Sequence, residues 1–269
     1  MRRIALILTL LALSLSAAAQ VDSLRFERLD SALTYYTAAM EPLDVVAKGQ
    51  ECDFIIGTAS DSLDIQHIAL WLWDHYKESR LMGEEAVAIH IYDKWFKTGK
   101  VAMRSEFDRM DADIFVTFNR STLLGSRAPV IALRNPRGRS VEIPSDGTYS
   151  ILYFYDTSCG KCKVESKLLP SVLAKVDFPA TFYAVYAGSE KQSWRRFRRE
   201  FKVKNRNLDV VHLWDPDIES DYLRLYGVMS TPRLYVTDEE GVILGRRLEV
   251  ENLQEIIHYI CISHGQKEN

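Results

Sequence analysis

The stretch YFYDTSCGKCKVE, residues 153–165, holds two of the chain's four cysteines, Cys159 and Cys162. It follows a nearly continuous apolar run, Tyr149 to Tyr155, of the kind that fills the centre of a sheet. After it, Lys163 to Lys175 reads as a helix with Val164, Leu168 and Leu169 on its apolar side. The cysteine pair therefore sits where a strand turns into a helix. Unpaired amides and the positive end of the helix dipole stabilise a thiolate at such a point. Lys161 and Lys163 add positive charge there. Cys159 is expected to be the reactive thiol, because the thiolate is the nucleophile. Cys162, one helical turn on, can attack a mixed disulfide formed at Cys159. A zinc site would require a second ligand pair at tetrahedral spacing. Cys52 and Cys261 are single, and His258, Cys261 and His264 spread over a wide arc, so no metal is expected. An inert structural bridge stays open as a reading, although so short a loop stabilises little through chain entropy.

Outward from the pair, the period is that of strands alternating with helices. Ala128-Pro129 precedes a strand through Leu133, and Asn135-Pro136-Arg137-Gly138 signals a turn. Ser140 to Ile143 alternates back. Ala180 to Ala187 is a second buried strand. An arginine-rich helix follows, with Trp194, Phe197 and Phe201 at i, i+3 and i+7, which makes the arginines its solvated face. Val210 to Leu213, a helix near Ser220 to Tyr226, strands over Arg233–Thr237 and Val242–Leu248, and a helix from Val250 complete the pattern. The order predicts a central mixed sheet with helices on both faces.

The first half differs. Arg2-Arg3, an apolar run to about Leu15 and Ala17-Ala18-Ala19 make a secretory signal peptide over residues 1–19, cut before Gln20. No later apolar stretch is long enough to span a bilayer, so the chain is not expected to span the membrane after cleavage. An exported chain is expected, periplasmic or secreted, in a space where thiols tend to pair. From Asp22 to Leu124 the pattern is helical. Pro42 suits a first turn before Leu43, Val46, Phe54 and Ile55. Asp61 or Asp64 can cap the next helix, with Ile65, Ile68, Leu72 and Tyr76 in one stripe. Gly83 and Gly99 bracket a third, and Phe107, Met110, Ile114 and Phe118 fall on one face of a fourth. This gives an all-α domain over 20–124 and an α/β domain over 125–269. The apolar fraction of 47% suffices for a core. A net charge of -3 gives no reason to expect a nucleic-acid partner.

Residues 128 onward resemble the thioredoxin-like fold, and within it the exported thiol-disulfide oxidoreductases of the TlpA/ResA group. The resemblance rests on Ala128-Pro129, the strand before the pair, Cys159-Gly160-Lys161-Cys162 and Ser230-Thr231-Pro232. It implies a cis proline at Pro232 that faces the cysteines and, with Thr231, Ser158, Gly160 and Lys161, lies along the substrate. It also implies a proton-handling role for Glu165. Ser158 departs from the bulky residue usual before the first cysteine, and Tyr153 stands where thioredoxin has a buried acid. The helical half, through LWLWDHYKESRLMGEEAVAIHIYDKWFKTG, resembles the domain DUF5106 of exported Bacteroidetes proteins.

The expected function is disulfide exchange with cysteine-containing exported proteins, in the reducing direction, with Cys159, Cys162 and Glu165 catalytic. No cofactor is expected beyond a redox-active Cys159–Cys162 disulfide, which then needs a redox partner to turn it over. A non-catalytic binding or scaffold protein of the envelope is the alternative, since a fold does not prove an activity. A peroxiredoxin fits less well, because Thr157 lies two residues before Cys159 rather than three.

Overall fold

A computed structural model describes residues 23–267. The expected signal peptide and the site before Gln20 lie outside the described residues. The chain divides into two compact units between Ala112 and Asp113.

The first unit is helical. A helix over 23–39 (α1) precedes α2 (Val45–Thr58), α3 (Ser62–Lys77) and α4 (Glu85–Ile91), which runs on as a π-helical turn, Tyr92–Phe96. The caps follow local chemistry. Asp44 accepts hydrogen bonds from the amides of Val46 and Ala47, and Asp61 from that of Leu63. Each satisfies donors that a helix start leaves open. Asp44, rather than Pro42, thus starts α2, and Pro42 lies in the turn before it. The stripe Ile68, Leu72 and Tyr76 is buried as its spacing requires. In α2 the buried face is Lys48, Gly49, Cys52 and Ile56, while Val46 and Phe54 are exposed. Two polar clusters tie these helices together. Lys48 and Glu84 form a buried ion pair of 2.5 Å, and Ser79 donates to the same carboxylate. Asp53 accepts from His90, Lys94 and Trp95, which pins the π-helical turn to α2.

The second unit contains a seven-stranded sheet. The strands are β1 (Ile131–Arg134), β2 (Ser140–Ile143), β3 (Tyr149–Tyr155), β4 (Ala180–Tyr186), β5 (Leu208–Trp214), β6 (Arg233–Thr237) and β7 (Ile243–Arg246). Their order across the sheet is β2-β1-β5-β4-β3-β6-β7. β3, β4 and β5 are parallel, and β6 and β7 return antiparallel. This is the mixed sheet flanked by helices that the element order implies. The chain steps from β3 to β4 to β5 in one direction. Right-handed crossovers therefore put both connecting helices, α6 (Gly160–Leu173) and α7 (Lys191–Glu200), on one face. α9 (Val250–Lys267) joins them there, and α8 (Tyr222–Leu225) covers the other face.

β3 is flanked on both sides and buried at all seven positions, which is why its sequence does not alternate. Ile151, Tyr153 and Tyr155 face α6, α7 and α9, while Leu152 and Phe154 face α8 and the β1–β2 hairpin. Trp194 and Phe201 are buried and Arg195, Arg196 and Arg199 exposed, as expected of an amphipathic helix. Helix α5 (Glu106–Asn119) corrects the sequence reading. Phe107, Met110 and Ile114 are exposed, and the buried face runs through Ala112, Val116 and Asn119. Asn119 is held there by polar contacts, donating to the carbonyl of Phe115 and accepting from buried Arg246. Apolar spacing alone does not see such a face. Among the described residues no helix is long and apolar enough to cross a membrane.

Candidate active site around Cys159

The turn between β3 and α6 is built by Asp156. Its carboxylate accepts from the backbone amide and the hydroxyl of Ser158, at 2.7 and 2.8 Å. Its carbonyl accepts from the amide of Cys159 at 3.2 Å. This Asx-type turn aims Cys159 into the N-cap position of α6. There the Sγ atom accepts from the amide of Cys162 at 3.2 Å, doing what a serine or aspartate oxygen does at other helix starts. Gly160 follows with open space around it, because a Cβ added there would meet nothing within 4 Å.

Thr231 arrives from the segment before β6. Its carbonyl accepts from the Cys159 thiol at 3.2 Å, across 72 residues of chain. The Thr231–Pro232 peptide is cis. Burial pushes the Cys159 thiol up, but hydrogen bonds with Cys162, the Thr231 side chain and the Lys161 backbone outweigh it. The net effect holds Cys159 below the usual thiol range. Cys162 is 3% exposed, and burial, followed by its bond to Cys159, pushes its thiol up to about 12. The two sulfurs are thus differentiated: the partly exposed one ionises readily and the buried one does not. Both are free thiols, as are Cys52 and Cys261.

Beneath the pair lie Tyr153 and Glu165. The Tyr153 hydroxyl donates to the Cys162 carbonyl at 3.5 Å. Glu165 is 5% exposed, and burial raises its pKa against the opposing charge of Lys161. Its Oε1 lies 3.8 Å from the Lys161 ammonium, and its Oε2 is buried without a hydrogen-bond partner. A carboxyl in that setting holds a proton to higher pH than an exposed one.

The lysines lie at the same helix start, and Lys161 has a partner of its own. Lys161 does not pair with the Cys159 sulfur. Its ammonium lies 2.6 Å from Glu249, at the start of α9. Lys163 is exposed. The largest influences that lower the Cys159 pKa are hydrogen bonds. The structure brings together Ser158, Cys159, Gly160, Lys161, Cys162 and Glu165 on one loop-helix segment, with Thr231 against the sulfur and Pro232 next in the chain. Sequence reasoning missed Asp156 and Glu249. Asp156, two residues before a serine at a turn, carries the local Asx signal. Glu249, 88 residues from Lys161, carries none.

No family model matches the chain, and no curated protein matches it. Solved structures do. A thioredoxin-like protein from Bacteroides caccae is 14% identical, with a TM-score of 0.63 over 87% of this chain and 84% of that one. The thioredoxin domain of a thiol-disulfide oxidoreductase from Bacteroides vulgatus is 24% identical, with a TM-score of 0.44 over 51% of this chain and 96% of that one. A thiol:disulfide interchange protein from a Bacteroides species is 27% identical, with a TM-score of 0.44 over 52% of this chain and 90% of that one. The first of these likenesses extends along most of both chains, and at its identity it speaks for fold. The second unit thus has a thioredoxin-like fold, a central mixed sheet flanked by helices and preceded in the chain by an all-α unit.

Proposed function

We propose that the chain is an exported thiol-disulfide oxidoreductase that exchanges disulfides with cysteine-containing envelope proteins. The observation that carries this reading is the asymmetry of the pair. Cys159 is partly exposed, hydrogen-bonded by an amide at a helix start and held below the usual thiol range, whereas Cys162 is buried and pushed up to about 12. An attacking thiol requires the first setting and a resolving thiol the second.

In the reducing direction the Cys159 thiolate attacks one sulfur of a substrate disulfide. A Cys159–substrate S–S bond forms, the substrate S–S bond breaks, and the departing sulfur takes up a proton. Cys162 then loses its proton, for which Glu165 is the nearest buried carboxyl on α6, and attacks the Cys159 sulfur. The second substrate thiol leaves, two electrons have passed to the substrate, and Cys159–Cys162 remains as a disulfide. An external dithiol must reduce that disulfide before the next cycle. Ser158, Gly160 and Lys161 on one side and Thr231-Pro232 on the other would flank the extended substrate segment.

Trapping tests this. The Cys162→Ser protein, mixed with a disulfide-bonded peptide, is expected to accumulate a mixed disulfide at Cys159, visible by mass and reversed by dithiothreitol. Cys159→Ser is expected to form none. A wild-type protein that leaves the peptide disulfide intact, with no adduct in Cys162→Ser, would leave the scaffold reading in its place.

A further inference from the structure

Two arginines beside the exchange site are used by the fold only in part. Arg233 begins β6, directly after the Thr231–Pro232 peptide whose threonine carbonyl touches Cys159. It donates to the Pro232 carbonyl at 3.2 Å and to the Ser230 hydroxyl at 2.9 Å, and its Nε is buried without an acceptor. Arg247 follows β7, in a left-handed conformation with φ of 51°. It donates to the Phe118 carbonyl at 3.2 Å, and its Nε is likewise buried without an acceptor. Its guanidinium lies against Gly227, where an added Cβ would come within 2.7 Å of Nη2. The two side chains thus bracket the short segment from Gly227 to Thr231.

Their charges are close enough to interact. Burial first, then the charge of Arg247, holds the Arg233 pKa below the usual arginine range. Lys161 in turn senses Arg233. Among the described residues neither arginine makes an ion pair with a carboxylate. The carboxylates nearest Lys161 are Glu249, 2.6 Å from its ammonium, and buried Glu165. Each guanidinium offers five N–H donors. Arg233 engages two and Arg247 one. Like charges held together, partly exposed and without a counter-ion, do little for folding. Each guanidinium keeps N–H donors of a geometry that suits a carboxylate arriving from outside.

We propose that Arg233 and Arg247 select the substrate, favouring polypeptide disulfides that carry Asp or Glu within a few residues of the cysteine attacked by Cys159. This rests on the exchange reading above. Electrostatic complementarity of this kind acts mainly on the association rate and is screened by salt. It makes the chain a discriminating exchanger rather than a general one.

The test is a single-turnover reaction of the fully reduced full-length protein, which needs no added reductant. Three disulfide-bonded peptides would be compared, identical except for Asp, Asn or Lys beside the cysteine, with 2-hydroxyethyl disulfide as a neutral control. The Asp peptide is expected to react about tenfold faster than the Asn peptide at low salt, and the Lys peptide slower still, as for a steered encounter. Raising salt to about 0.5 M, where the Debye length falls to a few ångströms, is expected to compress that order. The Arg233→Gln/Arg247→Gln protein is expected to lose the preference while keeping its rate on the neutral disulfide. Equal rates on the three peptides, with the neutral disulfide still reduced, would overturn the selection proposal and leave the exchange reading intact. No reaction even with the neutral disulfide would overturn both. The peptide comparison uses the wild-type protein alone, so equal rates overturn the proposal even if the double variant does not fold; a folded double variant that keeps the preference would overturn it as well.

Discussion

Replacing Glu165 by leucine is expected to stabilise the protein while slowing its chemistry. The side chain is 6% exposed, and one carboxylate oxygen has no hydrogen-bond partner. A buried acceptor left unsatisfied costs about 1–3 kcal/mol. The compensating charge is Lys161, 3.8 Å away and 53% exposed, already held by Glu249 at 2.6 Å. An ion pair that open to solvent contributes less than about 1 kcal/mol. With about 2 kcal/mol for the first and about 0.5 kcal/mol for the second, the carboxylate destabilises the native state by about 1–2 kcal/mol. Leucine at the same place removes it and adds apolar burial. The expected gain at pH 7 is about 1–2 kcal/mol, or about 2–8 °C in Tm for a chain of this size. The sign of the pH dependence follows from the raised pKa of Glu165. A carboxyl whose folded pKa lies above its unfolded value destabilises once it ionises in the folded state. Below the ordinary carboxylate range of about 4.3 it is protonated in both states, and the gain from leucine shrinks. Urea unfolding of both proteins at pH 7 and pH 4, followed by tryptophan fluorescence, measures the difference. Paired single-turnover kinetics would show slower release of the second substrate thiol from Glu165→Leu. A variant that is neutral or less stable at pH 7, or a difference that does not change with pH, would refute the reasoning.

Further expectations concern the sulfurs and the frame. Iodoacetamide at pH 7 is expected to label Cys159 at least about tenfold faster than Cys162, since thiolate fraction changes tenfold per pH unit; equal rates in peptide mapping would contradict the asymmetry. Asp53→Ala removes the acceptor shared by His90, Lys94 and Trp95 and is expected to cost about 2 kcal/mol, read as a lowered urea midpoint. Gly227→Ala would put a Cβ 2.3 Å from the Phe118 carbonyl at a φ of 57°, and a loss of at least about 2 kcal/mol is expected; a neutral result would mean that the loop moves freely.

The strands near the cysteine pair were legible because burial on both faces leaves a continuous apolar run, as at Tyr149–Tyr155. The placing of Cys159 at a helix start was legible for a similar reason, since Gly160 onward turns to the helical period. Glu165 was reachable as one helical turn beyond Cys162. Thr231 was not reachable from spacing. Its approach to Cys159 is a property of sheet order, with β6 laid beside β3, and only the resemblance supplied it. Glu249 was invisible for the same reason, because it reaches Lys161 through the antiparallel return at the sheet edge. The α5 face was misread because Asn119 is buried through hydrogen bonds, while Phe107 and Ile114 are left in solvent. The start of α2 was misplaced because Asp44 offered a better cap than Pro42 offered a first turn.

The most direct test of the central claim is an equilibrium redox titration of the Cys159–Cys162 pair in defined thiol/disulfide buffers, read by alkylation and mass. The account predicts one reversible two-electron transition, about 29.6 mV per tenfold change in the buffer ratio, involving these two cysteines and leaving Cys52 and Cys261 as thiols. A pair that never closes, or that once closed never reopens across the range from about -300 to -120 mV, would contradict it.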